Sequence, residues 1–164
     1  TSSICIEPPT VIDQSSSVEE KGYAVVGGGA KFRGRAVEKL ANGLPRRPWQ
    51  EMIECPYENL KTPSRVHVDS YGNVHICQGI SMGNMWETPL AKLVKKYRVK
   101  SHPICGPLFR GGPAALLRAL GGDKRMSDSE YIDECHFCFL ARKSAIEKFP
   151  GYLAPRQVYG LGKE

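Results

Sequence analysis

An alternating stretch centred on Gly72 is the feature that most constrains the fold of this chain. Hydrophobic and polar residues alternate over 65–69 and again over 73–77, and each run is typical of a half-buried strand. The intervening loop ends in Gly72, which can adopt the left-handed backbone conformation that closes such a turn without steric cost. The sequence therefore predicts a β-hairpin with a three-residue loop.

The register of this hairpin follows if Asp69 lies opposite Asn73. The next pairs would be Val68 with Val74, His67 with His75, Val66 with Ile76, and Arg65 with Cys77. We expect the valines and the isoleucine to form the buried face and the two histidines to form an exposed pair. Cys77 would lie on the face opposite the core, before a glycine-rich bend at Gly79 and Gly83, which is a position typical of a metal ligand.

The composition bounds the class of protein. A chain of 164 residues can form one domain with a core, and because it begins with Thr1 we expect a piece of something longer. No run approaches the roughly 18 apolar residues of a membrane span, and the first residues lack the order of a signal peptide. We therefore expect a soluble, cytoplasmic protein. The net charge is +6, but the basic residues are scattered, so nucleic-acid binding is not indicated.

Composition also divides the chain. Residues 1–31 are rich in proline, serine and glycine, and we interpret them as a linker or the remnant of a preceding barrel domain. Residues 32–160 form the predicted domain, and 161–164 form a tail. The predicted fold class of this domain is α+β. We expect a small antiparallel hairpin or sheet, which another short strand can widen, and three or four short helices around a cysteine-ligated metal site.

Helical spacing and stop signals place these helices. The pattern predicts a helix over 32–40, one from Leu90 to Tyr97 capped by Thr88, one opening at Gly112-Pro113, and one over 139–149. The prolines of 102–107 predict a turn or extended loop there. A capping box over 127–130 predicts a short helical turn before the last cysteine pair.

Six cysteines are too few for a disulfide scaffold of this length, and they are Cys5, Cys55, Cys77, Cys105, Cys135 and Cys138. Without a secretory signal, metal ligation is favoured over disulfides, and the isolated Cys5 is interpreted as a bystander thiol. The Cys135-x-x-Cys138 pair can direct two thiolates at one metal site. The other half must come from Cys55, Cys77 or Cys105. Cys77 is the best placed of the three, and Cys55 precedes the hairpin on a proline-rich loop.

The cysteine order carries a resemblance to a known family. Cys55, Gly72-x4-Cys77 and the distant Cys135-x-x-Cys138 resemble the SPASM/twitch accessory domain that follows the catalytic barrel of radical S-adenosylmethionine enzymes, most closely its four-cysteine twitch version. The segments DSYGNVHICQGISMGN, ETPLAKLVKKY, HPICGPL, YIDECHFCFLARK and FPGYLAPRQVYG are similar to that family too, and FRGRA resembles the segment joining barrel and accessory domain. The resemblance covers roughly residues 32–160.

This resemblance implies a cofactor, partners and a role. Cys55, Cys77, Cys135 and Cys138 would ligate a four-iron four-sulfur cluster. The sixteen residues between Cys55 and Gly72 exceed the family's usual gap, which makes Cys105 the substitute candidate. The partners would be the barrel of the same parent chain and a low-potential electron donor. The catalytic C-x3-C-x2-C triplet is absent from this sequence, so S-adenosylmethionine would bind only in the missing barrel, while this domain relays electrons or positions substrate.

Other interpretations stay open beside this one. The same four thiolates could hold a structural zinc ion in an interaction module without catalysis. We expect His136 to face solvent and His102 to belong to loop structure. Arg142 either neutralises the charge of a tetrathiolate cluster or is a surface arginine of its helix. No Ser-His-Asp order or carboxylate pair favours a hydrolase.

Overall fold

The computed structural model describes residues 31–122 and 124–162, together with the backbone of two short strands at 11–13 and 24–27. These residues form small antiparallel sheets and five helices, so the predicted α+β class is confirmed. None of these helices is both long and apolar enough to cross a membrane. Cys5 and most of the predicted linker lie outside the described residues.

The strands are β1 Val11–Asp13, β2 Ala24–Gly27, β3 Arg47–Pro48, β4 His67–Val68, β5 Asn73–Cys77, β6 Ile80–Asn84 and β7 Glu130–Tyr131. The helices are α1 Arg35–Lys39, α2 Leu90–Lys96, α3 Cys105–Ala119, α4 Lys124–Ser127 and α5 Glu134–Ser144. Short 3-10 turns lie at Trp49–Glu51, Val99–Ser101 and Arg156–Tyr159. Strand β1 pairs with β2 inside the segment interpreted as a linker, β3 pairs with β7, and β4, β5 and β6 form the central sheet in that order.

The predicted hairpin is present, and its register is confirmed where β4 and β5 pair. His67 lies opposite His75 and Val68 opposite Val74, and Gly72 closes the turn with φ of 79°. The Asp69 carboxylate fixes this turn by accepting the backbone N–H groups of Tyr71 and Asn73. Strand β4 has only two residues, however, so the predicted pairing of Arg65 with Cys77 lies outside it. Arg65 instead pairs with Glu58.

Two burial predictions for the hairpin are wrong. Val68 is 47% exposed, because both residues of the short edge strand β4 lie at the surface. His75 is only 4% exposed, because the central strand β5 is covered on both faces, whereas an isolated hairpin would leave one face in water. Arg33, from the segment before α1, and Val158, near the C-terminus, line the same small space as His75.

The expected bend after Cys77 is a tight turn that leads into the additional strand. Gly79 adopts φ of 85° in this turn, and β6 then runs antiparallel to β5. Leu153 forms a bridge with Ile80 at the far edge of β6, and the N–H of Ser81 donates to the carbonyl oxygen of Tyr152 at 2.9 Å. The C-terminal segment therefore extends the central sheet.

Helix α2 follows its prediction only in part. Pro89, not Thr88, is the N-cap residue, and no side chain caps this helix. Leu93 is buried as expected, but Val94 is 46% exposed, so the apolar face is narrower than the pattern indicates. Gly83, with φ of 122°, lets Leu93 pack directly onto β6, because an added Cβ would lie 3.0 Å from a methyl carbon of Leu93.

Helix α3 begins earlier than the prolines suggest, so the prediction of a loop over 102–107 is wrong beyond Ile104. The His102 side chain stabilises the start of this helix, because its Nδ1 accepts the backbone N–H groups of Ile104 at 3.2 Å and Cys105 at 3.0 Å. The helix kinks at Gly111 and Gly112, so its second half does open at Pro113 as predicted.

The kink places the loop that carries Cys55. Gly112 adopts φ of 59° and lies directly against the backbone of residues 52–54, where a Cβ would come within 2.7 Å of the Met52 carbonyl oxygen. That same oxygen accepts the N–H of Ala114 at 3.1 Å. The loop before Cys55 is therefore held on α3 by backbone contacts.

The last helix also differs from its prediction. Helix α5 starts at Glu134, because the Asp133 side chain accepts the N–H of His136 at 2.7 Å as an N-cap. The predicted start at Phe139 and end at Phe149 are therefore wrong, and so is the capping box, because Glu130 lies in β7.

The hydrophobic core lies between α3, α5 and the central sheet. Its most deeply buried large side chains are Met52, Ile76, Ile80, Ile104, Leu116, Leu117, Phe137 and Leu153. The sheet supplies β5 and β6, the two helices supply the opposite wall, and the C-terminal segment closes the edge. Four of the six cysteines lie on elements that border this core: Cys55, Cys77, Cys105 and Cys138.

Candidate metal centre

The four predicted ligands come from three elements. Cys55 lies on the loop after the Trp49–Glu51 turn, Cys77 is the last residue of β5, and Cys135 and Cys138 lie in the first turns of α5. All four are half-buried free thiols. The helix start at Glu134 places Cys135 and Cys138 three residues apart on one helical face, as metal ligation by such a pair requires.

The electrostatic coupling of these thiols shows that they share one neighbourhood. Burial raises the pKa of Cys135 to about 12 and that of Cys138 to about 11, and a Cys77 thiolate contributes to each increase. Burial also raises the pKa of Cys55, with a further contribution from Cys77. Because Coulomb interactions fall off with distance, these shifts relate Cys77 to each of the other three thiols. Convergence of the four sulfurs on one metal stays a prediction.

The surroundings of Cys55 favour its thiolate form in one respect. Burial is the larger effect and disfavours the charge, but the backbone N–H groups of Tyr57 and Glu58 donate to the sulfur and oppose that effect. A loop whose amides are directed at a thiolate is common in cysteine metal sites. Two backbone donors therefore lie at the Cys55 sulfur, and its role as a ligand stays a prediction.

Cys105, the substitute candidate, lies in the core at the first residue of α3. It is fully buried, and burial raises its pKa to about 12. The Tyr97 hydroxyl, which donates to the carbonyl oxygen of Leu60 at 2.7 Å, partly opposes that increase. Cys77 and Cys138 also contribute to this increase, so Cys105 lies behind the same neighbourhood. Cys105 is therefore a core thiol, more deeply buried than the four predicted ligands.

Two guanidinium groups face the thiols. Arg33 Nη1 donates to Cys77 Sγ at 2.8 Å, which ties the segment before α1 to the end of β5. Positive charge this close stabilises a thiolate, and it is also what an anionic tetrathiolate group requires. The sequence pattern missed this contact, since Arg33 was assigned only a place in a short helix and in the FRGRA segment.

Of the two arginines, Arg142 gives the stronger evidence about the charge of the candidate site. Its side chain is 1% exposed, so it is not the surface arginine that the sequence left open. Its Nη1 donates to the carbonyl oxygen of Gln78 at 2.7 Å and to the Tyr159 hydroxyl at 3.2 Å, and its Nε donates to the carbonyl oxygen of Cys138 at 3.3 Å. These bonds fasten α5 to the turn that follows Cys77.

The charge of Arg142 lacks a carboxylate among its neighbours. None of the ion pairs formed within 31–122 and 124–162 includes this residue. Burial alone lowers its pKa, but Tyr159, Cys138 and Cys77 more than offset this and raise it. A buried cation is costly unless an anion lies nearby, and the acidic groups within reach are thiols and a phenol. Negative charge on the neighbouring sulfurs would therefore compensate the buried charge of Arg142.

Tyr159 holds the turn that follows Cys77. Its hydroxyl donates to the carbonyl oxygen of Gly79 at 2.8 Å, and its ring stacks on Phe139 with centroids 5.4 Å apart. A Cβ on Gly79 would lie 2.6 Å from this hydroxyl oxygen, so only glycine fits the turn here. A C-terminal tyrosine that holds the turn was not predictable from the sequence alone.

The prediction for His136 is wrong. This residue lies between the paired cysteines but is 3% exposed, and its Nδ1 accepts the N–H of Ile132 at 3.2 Å. Burial lowers its pKa to about 4, so the ring is neutral near pH 7. Its ring packs edge-on against Tyr131 with centroids 5.5 Å apart. His136 therefore holds the entry to α5 and is directed away from solvent.

The donor set fits a thiolate-ligated group by its chemistry. Across the described part of the chain, no three His, Cys, Asp or Glu side chains are arranged so that they could hold one metal ion. Metal binding would release the protons that the raised pKa values of Cys55, Cys135 and Cys138 retain. The ligand set predicted from the sequence stays a prediction. Comparison with protein-family models, with curated proteins and with solved structures finds no match to this chain.

Proposed function

We propose that this chain binds a four-iron four-sulfur cluster through Cys55, Cys77, Cys135 and Cys138, as an accessory domain of a radical S-adenosylmethionine protein. The observation that carries the proposal is the position of Arg142. It is a fully buried cation that forms no ion pair with a carboxylate of residues 31–122 and 124–162, and it joins the Cys77 turn to the helix of the other two thiols. A tetrathiolate cluster supplies the negative charge that this environment lacks.

The residues of this chain would hold and insulate the group. Arg33 and Arg142 would stabilise the thiolates, and Tyr159 would fix the turn that presents Cys77. When bound, such a cluster supplies one-electron transfer at low potential. The catalytic barrel of the parent chain, where S-adenosylmethionine would bind, and a low-potential electron donor in the cytoplasm are the proposed partners. Whether this domain relays an electron or positions substrate depends on that barrel.

Metal analysis of anaerobically purified or reconstituted protein tests the proposal. We expect about four irons and four sulfides per chain and a broad visible absorption band. Each of the changes Cys55→Ser, Cys77→Ser, Cys135→Ser and Cys138→Ser should lower the iron content and weaken the band. Cys105→Ala is the matched control, because it removes a buried thiol of the same neighbourhood and should retain the iron.

Two results would contradict the proposal in different ways. One zinc per chain with no sulfide and no visible band, whether the protein is prepared in air or without it, would indicate the structural zinc module. Loss of iron in Cys105→Ala with retention in Cys55→Ser would show that Cys105 is the fourth ligand. In that case the proposal of an iron–sulfur cluster would be retained, and Cys105 would replace Cys55 as its fourth ligand.

A further inference from the structure

A second cavity lies between α2 and the outer edge of the central sheet. Its volume is about 420 Å³, which is within the range of small-molecule sites. One wall is β6 with the C-terminal residues paired to it, and the other is α2 with the turn that follows. The lining residues are Ser81, Met82, Gly83, Leu93, Lys96, Tyr97, Arg98, Ser101, His102, Gly151 and Tyr152.

Both walls are fixed by backbone contacts. The N–H of Ser81 donates to the carbonyl oxygen of Tyr152, which holds the C-terminal wall on β6. Leu93 packs against Gly83, which holds α2 on the same strand. The cavity is therefore formed before any ligand enters, and binding would not have to order its walls.

The inner surface of the cavity is aromatic. The His102 ring packs edge-on against Tyr152, with centroids 4.9 Å apart, and against Tyr97, with centroids 5.7 Å apart. Because Nδ1 of His102 accepts two backbone N–H groups, the proton of the neutral ring lies on Nε2. Burial lowers the pKa of His102 to about 4, so this residue adds a hydrogen-bond donor near pH 7 but no charge.

The charged residues that line the cavity are basic. Lys96 and Arg98 line it, Ser101 adds a hydroxyl, and no aspartate or glutamate does. The surrounding sequence has the same bias. Residues 88–122 contain seven lysines and arginines and no acidic residue, and the basic residues are Lys92, Lys95, Lys96, Arg98, Lys100, Arg110 and Arg118. A cavity with cationic and aromatic walls is complementary to a ligand that carries negative charge on a flat apolar body.

We propose that this cavity binds a small organic anion with an aromatic or otherwise flat apolar body, with Lys96 and Arg98 recognising the anionic group. The apolar body lies against Tyr97 and Tyr152, and Leu93 and Met82 complete that surface. The site shares none of its lining residues with the four candidate cysteines. Its test is therefore independent of whether the protein holds iron.

Paired probes of equal shape and different charge test the site. Indole-3-acetate carries a carboxylate, and indole-3-acetamide replaces that group with a neutral amide. Titrations of the full chain are followed by calorimetry and by backbone amide NMR near 0.15 M salt, where long-range attraction is screened. We expect indole-3-acetate to bind about three- to tenfold more tightly than the amide, since exposed ion pairs contribute modestly. The largest shifts should fall on Tyr97, Ser101 and Gly151.

A matched pair of lysine variants locates the charge. Lys96 lines the cavity, whereas Lys100 is an exposed lysine of the same basic segment that does not. Lys96→Ala should remove most of the preference for the carboxylate probe, and Lys100→Ala should leave it unchanged. Unchanged unfolding midpoints in both variants exclude loss of the fold.

Three results would overturn the proposal. Equal affinity for the two probes would show that the cavity does not recognise an anion. Equal losses in Lys96→Ala and Lys100→Ala, with shifts spread over the outer face of α2, would indicate general attraction to a basic surface. The absence of saturable binding at millimolar probe would show that the cavity takes no ligand of this class.

Discussion

Replacing Arg142 with methionine tests whether this residue fastens the two halves of the candidate site. Methionine fills much of the same space without charge or hydrogen-bond donors. The change would remove the bonds from the guanidinium to Gln78, Tyr159 and the carbonyl oxygen of Cys138. It would also remove the energetic cost of keeping a cation in the core. The outcome depends on which of these effects is larger.

The structure indicates that the lost bonds dominate. The bond to Gln78 is 2.7 Å long, and its acceptor is a carbonyl oxygen of the turn that Arg142 holds. Hydrogen bonds that involve a charged group contribute about 1.5–3 kcal/mol each. The two shorter bonds of Arg142, to Gln78 and Tyr159, together contribute about 3–6 kcal/mol. Relief from burying the cation returns part of this. We expect Arg142→Met to lower the free energy of unfolding by about 2–3 kcal/mol.

Urea unfolding of the metal-free protein, followed by circular dichroism, measures this change, which is large beside the 5–15 kcal/mol typical of a whole domain. Lys143→Met is the matched control. It removes one positive charge from the next residue of the same helix, and Lys143 makes no hydrogen bond that spans the site, so it should change stability by about 0.5 kcal/mol or less. The reasoning fails if Arg142→Met is as stable as the native protein, or if both variants lose the same amount.

Two further predictions concern residues that position the site. Gly112→Ala should destabilise the protein by at least about 3 kcal/mol and displace the Cys55 loop, because its Cβ would collide with the backbone of 52–54. Gly122→Ala has a similar positive φ but open space around it and should cost only about 1 kcal/mol; equal losses in urea unfolding would contradict this. His102, whose pKa burial lowers to about 4, stays neutral in the folded state while the unfolded chain gains a proton below about pH 6.5. His102 should therefore account for about 2 kcal/mol of the stability lost between pH 7 and 5, and the buried His136 should add a similar loss. His102→Asn, which keeps an acceptor for the helix start, should remove only the share of His102 from the slope of the unfolding free energy against pH.

Local chemistry made the hairpin and its register predictable. The turn at Gly72 and the alternation on either side are properties of a dozen neighbouring residues, and they fix which residues lie opposite each other. The Cys135-x-x-Cys138 pair could be recognised in the sequence for the same reason, because its spacing is local. The break at Gly112-Pro113 was also local, and α3 changes direction there.

Contacts between distant segments were not predictable. The burial of His75 depends on Arg33 and Val158, which lie far from it in the sequence. A histidine that starts a helix with its ring nitrogen is a less common signal than serine or aspartate, so the true start of α3 was missed at His102. Arg142 has the same spacing from Cys138 whether it faces solvent or the core. Only the folded structure shows that Arg142 faces the core.

The hydrogen bond between Tyr159 and Gly79 closes a loop of half the chain around the candidate centre. During synthesis every candidate cysteine is added to the chain before the tyrosine that steadies the end of β5. A cluster inserted into that incomplete chain would meet a Cys77 turn whose outer support is missing. The proposed centre would therefore be completed only after Tyr159 is in place, and any fusion or trimming at the C-terminal side should spare residues 153–159.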